Sequence, residues 1–162
     1  FPNINAHVQD DNLVVHEKVS LSIAVDLNFQ GLVAPVIPNA SDMTSVEIAR
    51  AIADLAERAR SRQLTQEEHQ GATYTISNNG SFGTLYTTPI INQPQVAILS
   101  ADAISKRPWV VTVGGEDMMA IRSVGVLTQS FDHRAIDGAY SAAFLRRLKE
   151  IIETKDWGAA LP

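Results

Sequence analysis

The sequence predicts an α/β domain of the α+β sandwich kind, a mixed β-sheet covered by helices, and three observations carry that expectation. Residues 96–99 form a continuous apolar run, the pattern of a strand buried on both faces. Two segments, 44–62 and 139–153, place apolar residues at helical spacing. Between and around them lie short runs rich in β-branched residues, each bounded by Gly, Asn, Asp or Pro, which read as strands and turns.

Composition narrows the function classes. At 162 residues the chain has the length of one domain and can bury a substantial core. It has no cysteine, which excludes disulfides and thiolate metal sites and is consistent with a reducing compartment. Its four histidines lack ligand spacing, so no metal is expected. A net charge of −5, with 13 basic residues scattered along the chain, gives no footprint for nucleic acid. No apolar run approaches the ~20 residues of a spanning helix, so no membrane partner is expected.

Along the chain, residues 1–6 begin without a start methionine and read as the continuation of a longer protein. Gln9-Asp10-Asp11-Asn12 is a turn between two short strands, with His7 and His16 expected on their surface. Residues 21–25 and 32–37 read as two strands punctuated by Gly31 and Pro35. Thr44-Ser45-Val46-Glu47 is a capping box, and Ile48, Ile52, Leu55 and Ala59 then make one apolar helix face. The outer face, with Glu47, Arg50, Asp54, Glu57, Arg58 and Arg60, reads as solvated. Thr65 and Glu68 can cap a short turn. A strand over 73–77 meets the turn Asn78-Asn79-Gly80, and Ser81-Phe82-Gly83 keeps the backbone open to a ligand. The proline-bracketed apolar loop 88–94 is expected to pack against something. Strands over 95–101 and 110–113 follow, with residues 106–109 preceding the second, and residues 118–131 read as one long strand.

That strand leads into Ser130-Phe131-Asp132-His133-Arg134-Ala135-Ile136-Asp137-Gly138, where four ionisable side chains fall within six positions. Asp137 is placed to N-cap the helix that follows. A histidine fixed at a strand-to-helix junction, with a carboxylate four residues on, can be held in one tautomer and act as a general base. A solvated polar turn is the other reading of the same residues.

The wording of the motif adds to this. His133-x-x-x-Asp137-Gly138, preceded by Ser130-Phe131-Asp132, resembles the signature of the dihydrolipoamide acyltransferases of 2-oxo acid dehydrogenase complexes, and its core is shared with the chloramphenicol acetyltransferases. Ile23-Ala24-Val25-Asp26, Gly31-Leu32-Val33-x-Pro35-Val36-Ile37, Thr75-Ile76-Ser77-Asn78-x-Gly80 and Pro89-Ile90-Ile91-Asn92-x-Pro94 resemble that family in the same order. The resemblance implies a chloramphenicol acetyltransferase-like fold, trimeric, with residues 1–162 as the larger part of the catalytic domain and the lipoyl and subunit-binding domains absent. It implies acyl transfer between dihydrolipoamide and coenzyme A, with His133 as base, Ser77 at the oxyanion and Asp137 as an orienting residue. The family's arginine partner for this aspartate would lie before Phe1. Coenzyme A is then a substrate, and the lipoyl group rides on a separate lipoyl domain. The implied partners are further copies in a homotrimer or multiple of trimers, and the decarboxylase and dihydrolipoamide dehydrogenase components. The implied location is the cytoplasm, or the mitochondrial matrix of a eukaryote. A non-catalytic core that assembles the complex uses the same residues. A serine hydrolase built on Ser77, His133 and Asp137 lacks a nucleophile-elbow sequence.

Overall fold

The computed structural model describes residues 1–160. Strands β1 (Ala6–Gln9) and β2 (Asn12–Val15) form the expected small hairpin. His7 and His16 are not independent surface residues. Their rings stack at 4.9 Å, with Nδ1 of His7 2.9 Å from Nε2 of His16. Burial and the neighbouring His7 hold the pKa of His16 below the usual histidine value.

The two strands expected over 21–37 are each broken, giving β3 (Leu21–Ile23), β4 (Val25–Asp26), β5 (Leu32–Val33) and β6 (Val36–Ile37). Hydrogen bonding explains the breaks. The Ala24 N–H turns to the Ile76 carbonyl, and Pro35, which has no N–H, offers only its carbonyl to Ile23. Helix α1 (Ser45–Arg60) starts at the predicted capping box, with Thr44 and Glu47 bonding each other's backbone N–H. Its apolar face packs Leu55, Ile48 and Ile52 against Ile37 and Ala40. Its outer face is not all solvated. Arg58 is half-buried and donates to Glu68 at 2.8 and 2.5 Å and to Asp54 at 2.9 Å.

Strand β7 (Tyr74–Asn78) and β8 (Ala97–Ala101) complete the centre of the molecule. The latter is buried as its apolar run predicts, from Val96 and Ala97 at 0% exposure to Leu99 at 7%. Beyond it the chain makes a long ribbon, β9 (Ser105–Val113) and β10 (Glu116–Val124), closed by Gly114 and Gly115 with φ of 62° and 89°. Positive φ at both positions is the type I′ geometry that matches strand twist. Residues 106–109 therefore belong to β9 itself. Pro108 is tolerated because the ribbon pairs with no other strand among the described residues.

The single strand expected over 118–131 is also two, β10 and β11 (Leu127–Phe131). Residues 102–104 oppose only 125–126 between the two ladders, and that mismatch bends the ribbon away from the sheet. A side chain at Gly125 would meet Ile104 at 3.0 Å, so the bend is packed tightly. Helix α2 (Gly138–Thr154) and the short α3 (Trp157–Ala160) end the described chain.

The main sheet runs β11-β8-β7-β3-β6, with β7 parallel to β3 and β8 and the outer strands antiparallel, the mixed sheet the sequence predicts. Tyr140, Phe144, Leu145 and Leu148 of α2 cover Tyr74, Val96, Ala97 and Leu99. Phe1 closes this layer edge-on to Tyr140 and Phe144, at 5.2 and 5.6 Å.

Candidate active site

His133 occupies a corner built by its neighbours. The Asp132 N–H donates to the carbonyl of Val96, anchoring the end of β11 to the buried centre of the molecule. The Asp132 carbonyl accepts from Ala135 and Ile136, which turns the chain toward α2. Asp137 then caps that helix, its carboxylate accepting the Tyr140 N–H at 2.8 Å. Between these anchors His133 is exposed, its ring tilted against Phe131 at 5.6 Å. Among the described residues no side chain hydrogen-bonds the imidazole. Asp137 stabilises the helix start and makes no hydrogen bond to His133, so it sets the corner and not the tautomer.

Ser77 lies near the other exit of the sheet, on the last turn of β7 before the Asn78-Asn79-Gly80 bend. Its hydroxyl is half-buried and donates to the Asn79 amide oxygen at 3.5 Å, a long bond that leaves it free to redirect. Asn79 is held more firmly, donating to the Ser100 hydroxyl at 3.1 Å. The following loop is tied down by Asp102, 5% exposed, which accepts from the Thr84 and Thr87 hydroxyls and the Thr87 N–H. Burial pushes the Asp102 carboxyl up, but these donors outweigh it and leave the pKa below the usual value.

Register decides whether the two residues meet within one chain. Ser77 pairs with Ser100 and Ser100 with Thr128, while His133 lies two residues past Phe131, the end of β11. Since β7 and β11 run in opposite directions on either side of β8, they leave the sheet at opposite ends. Three residues at ~3.3 Å and two strand spacings of ~4.8 Å already separate Ser77 from Phe131, the last residue of β11, by ~14 Å, and the chain turns at His133 beyond it. In this structure neither Ser77, which bonds Asn79, nor Asp137, which bonds Tyr140, hydrogen-bonds His133. The apolar loop 88–94 is packed only in part, with Pro89 and Ile91 half-buried. Ile90 is 91% exposed and borders a cleft of about 500 Å³ that Val8, Gln95, Asp132 and Arg134 also line, next to the His133 corner.

Residues 1–158 match the 2-oxoacid dehydrogenases acyltransferase (catalytic domain) family. The chain belongs to that family. Among relatives of this acyltransferase domain, the dihydrolipoyllysine-residue acetyltransferase component of the pyruvate dehydrogenase complex of Corynebacterium glutamicum is 44% identical over 158 residues. The match covers 96% of this chain and 23% of that protein, so the chain spans about a quarter of its length. A solved structure of Azotobacter vinelandii dihydrolipoamide acetyltransferase has a TM-score of 0.87 and 36% identity, covering 99% of this chain and 64% of that one. It comes from a study of the roles of a serine, a histidine and an asparagine in that enzyme's catalytic mechanism. The cubic core of a pyruvate dehydrogenase multienzyme complex is also similar, with a TM-score of 0.85 and 34% identity over 99% of this chain and 64% of that one. The expected acyltransferase fold is thus found.

The sequence shows Asp132 and Arg134 within the motif without giving them a role, gives Asn79 only as a turn residue, and does not single out Asp102. The alternation of acid, imidazole and base over 132–134 was the available signal for the first pair. The contacts of Asn79 and Asp102 cross between β7, β8 and the loop, and local pattern does not carry them. No group of three or more His, Asp or Glu among the described residues could hold a metal ion. No helix among them is long and apolar enough to cross a membrane.

Proposed function

We propose that residues 1–162 are the larger part of the catalytic domain of a dihydrolipoamide acyltransferase, moving an acyl group between a dihydrolipoyl arm and coenzyme A. The observation that carries this is the family match over 1–158 together with an exposed His133 at a rigid strand-to-helix corner. In the direction that forms acyl-coenzyme A, His133 removes the proton from the coenzyme A thiol. The sulfur adds to the thioester carbonyl carbon, the oxyanion is met by the Ser77 hydroxyl, and collapse breaks the old C–S bond. The leaving dihydrolipoyl sulfur takes the proton back from His133. A base of this kind contributes roughly 10² to 10⁴ in rate, and a hydroxyl at the oxyanion on the order of 10² to 10³.

Asp137 acts as a positioning residue, through its cap. The Azotobacter relative supports this, since its histidine and asparagine are four residues apart, the spacing of His133 and Asp137. An asparagine can cap a helix but cannot serve as a carboxylate base.

The site is shared between copies, with His133 from one and Ser77 from the next, and the assembly is a homotrimer or a multiple of trimers. The opposite directions of β7 and β11 on either side of β8, which send Ser77 and His133 to opposite ends of the sheet, support this. So does the β9–β10 ribbon, on one face of which Val110, Met119 and Ile121 are 62 to 81% exposed, an apolar surface of the kind that marks an interface. Coenzyme A is a substrate, the lipoyl group is carried on a separate lipoyl domain, and the decarboxylase and dihydrolipoamide dehydrogenase components are further partners. The place of action is the cytoplasm, or the mitochondrial matrix in a eukaryote.

The test is co-refolding of H133A and S77A chains in equal amounts. Each parent should be nearly inactive, and mixed trimers should regain activity, because roughly a quarter of random interfaces pair an intact histidine with an intact serine. Mixed trimers that form, by tagged pull-down, and stay as inactive as the parents would overturn the shared site. An active H133A parent would overturn the assignment of the base.

A further inference from the structure

Among the described residues no side chain tethers His133, yet a general base must be held close to its reactive geometry. What surrounds it supplies an alternative. Asp132 and Arg134, the residues immediately before and after, are clamped to each other across it. The Asp132 carboxylate accepts the Arg134 backbone N–H at 2.9 Å. The Arg134 guanidinium grips both carboxylate oxygens, with Nε at 3.0 and 3.1 Å and Nη2 at 2.7 Å. Hydrogen bonding to Arg134 holds the Asp132 pKa below the usual carboxylate value, so the clamp is ionic at neutral pH.

The clamp is also grounded. The Asp132 N–H bonds Val96, at 0% exposure, and its carbonyl receives Ala135 and Ile136, the latter 6% exposed. Asp132 thus joins the buried sheet, the turn and the guanidinium on the far side of His133. We infer that Asp132 is a positioning residue for the His133 imidazole, fixing the backbone on both sides of the histidine through its clamp to Arg134. This inference rests on the proposed acyltransferase role of His133. The carboxylate–backbone bond sets the path of the main chain, and the guanidinium limits how the corner can unwind. The imidazole's direction then follows from the main chain and from Phe131.

The test uses the assembled protein with D132A, D132N and R134A, read by kcat, by KM for coenzyme A and the acyl donor, by thermal melting, and by the NMR signal of the His133 Cε1–H, assigned by its loss in H133A. D132A should lower kcat by about 10- to 100-fold while either KM moves by less than about twofold, since a misplaced base slows chemistry more than binding. D132N keeps an acceptor for the Arg134 N–H and should recover most of kcat, and R134A should fall between. The His133 signal should be single in the parent and in D132N, and broadened or doubled in D132A. Wild-type kcat with an unchanged His133 signal in D132A would overturn the inference. Loss of kcat in step with loss of assembly, unrecovered in D132N, would also overturn it, by showing a role in folding alone. If H133A proves active, the acyltransferase assignment of His133 fails, while the NMR signal still decides whether Asp132 positions the ring.

Discussion

Replacing Asp137 separates the two roles a carboxylate at this position can have. In the structure its side chain accepts one hydrogen bond, from the Tyr140 N–H at 2.8 Å, and starts a 17-residue helix that covers the sheet. Removing an N-cap costs about 1 kcal/mol, within a range of roughly 0.5 to 2. For a chain of this size each kcal/mol corresponds to a fall of about 2 to 4 °C in Tm, so D137A should melt about 2 to 4 °C lower. D137N can still accept the Tyr140 N–H and should melt within about 1 °C of the parent, asparagine being as good a cap. Turnover should follow the cap: D137N within about threefold of the parent, D137A lower through a loosened corner. Differential scanning calorimetry and a coenzyme A-dependent acyl-transfer assay on the same preparations give both numbers. If D137N keeps its Tm and loses about 10² or more in kcat, the carboxylate takes part in the chemistry and the capping argument is wrong.

Two further predictions follow from buried or paired carboxylates. D102A leaves the Thr84 and Thr87 donors without their acceptor beneath the loop that follows Ser77, a loss of about 2 to 4 kcal/mol, so Tm should fall by roughly 4 to 16 °C; a melt within 2 °C of the parent would refute the anchoring role. Glu68 is held by Arg58 and by the Thr65 N–H at a pKa of about 2, down from 4.5. A depressed carboxylate contributes stability that is fully present above the unfolded pKa and lost as pH falls through the folded one. The Tm difference between the parent and R58M should therefore be constant above pH 4.5 and shrink between about pH 4.5 and 2, and a difference independent of pH would show that the pair contributes only packing.

What was legible in the sequence was mostly local. The capping box at Thr44 and Glu47, the Asp137 cap and the buried run at 96–99 each depend on residues a few positions apart, and each appears as expected. The breaks within 21–37 and 118–131 were not legible, because they arise where a neighbouring strand takes a hydrogen bond or inserts a residue. Ala24 turns to Ile76, and residues 102–104 face only 125–126. Pro108 hid the start of β9, since a proline suggests a strand boundary unless the strand is known to lie at an edge. Arg58 looked solvated by its helix position, and only the fold brings Glu68 beside it. For the site, the sequence offered His133 and Ser77 as candidates but not their placement, which depends on β7 and β11 running in opposite directions on either side of β8.

That antiparallel placement has a consequence for the life of the polypeptide. On the proposed reading a freshly made chain holds one half of each of two sites and the whole of neither. It is silent until it meets its copies, and thioesters are safe from it while it is alone. Catalytic output then becomes a measure of assembly, falling away on dilution before any residue of the site has changed. Selection on the contact surface and selection on the chemistry act on the same atoms, so a substitution that loosens one subunit from the next is felt at once as a loss of turnover.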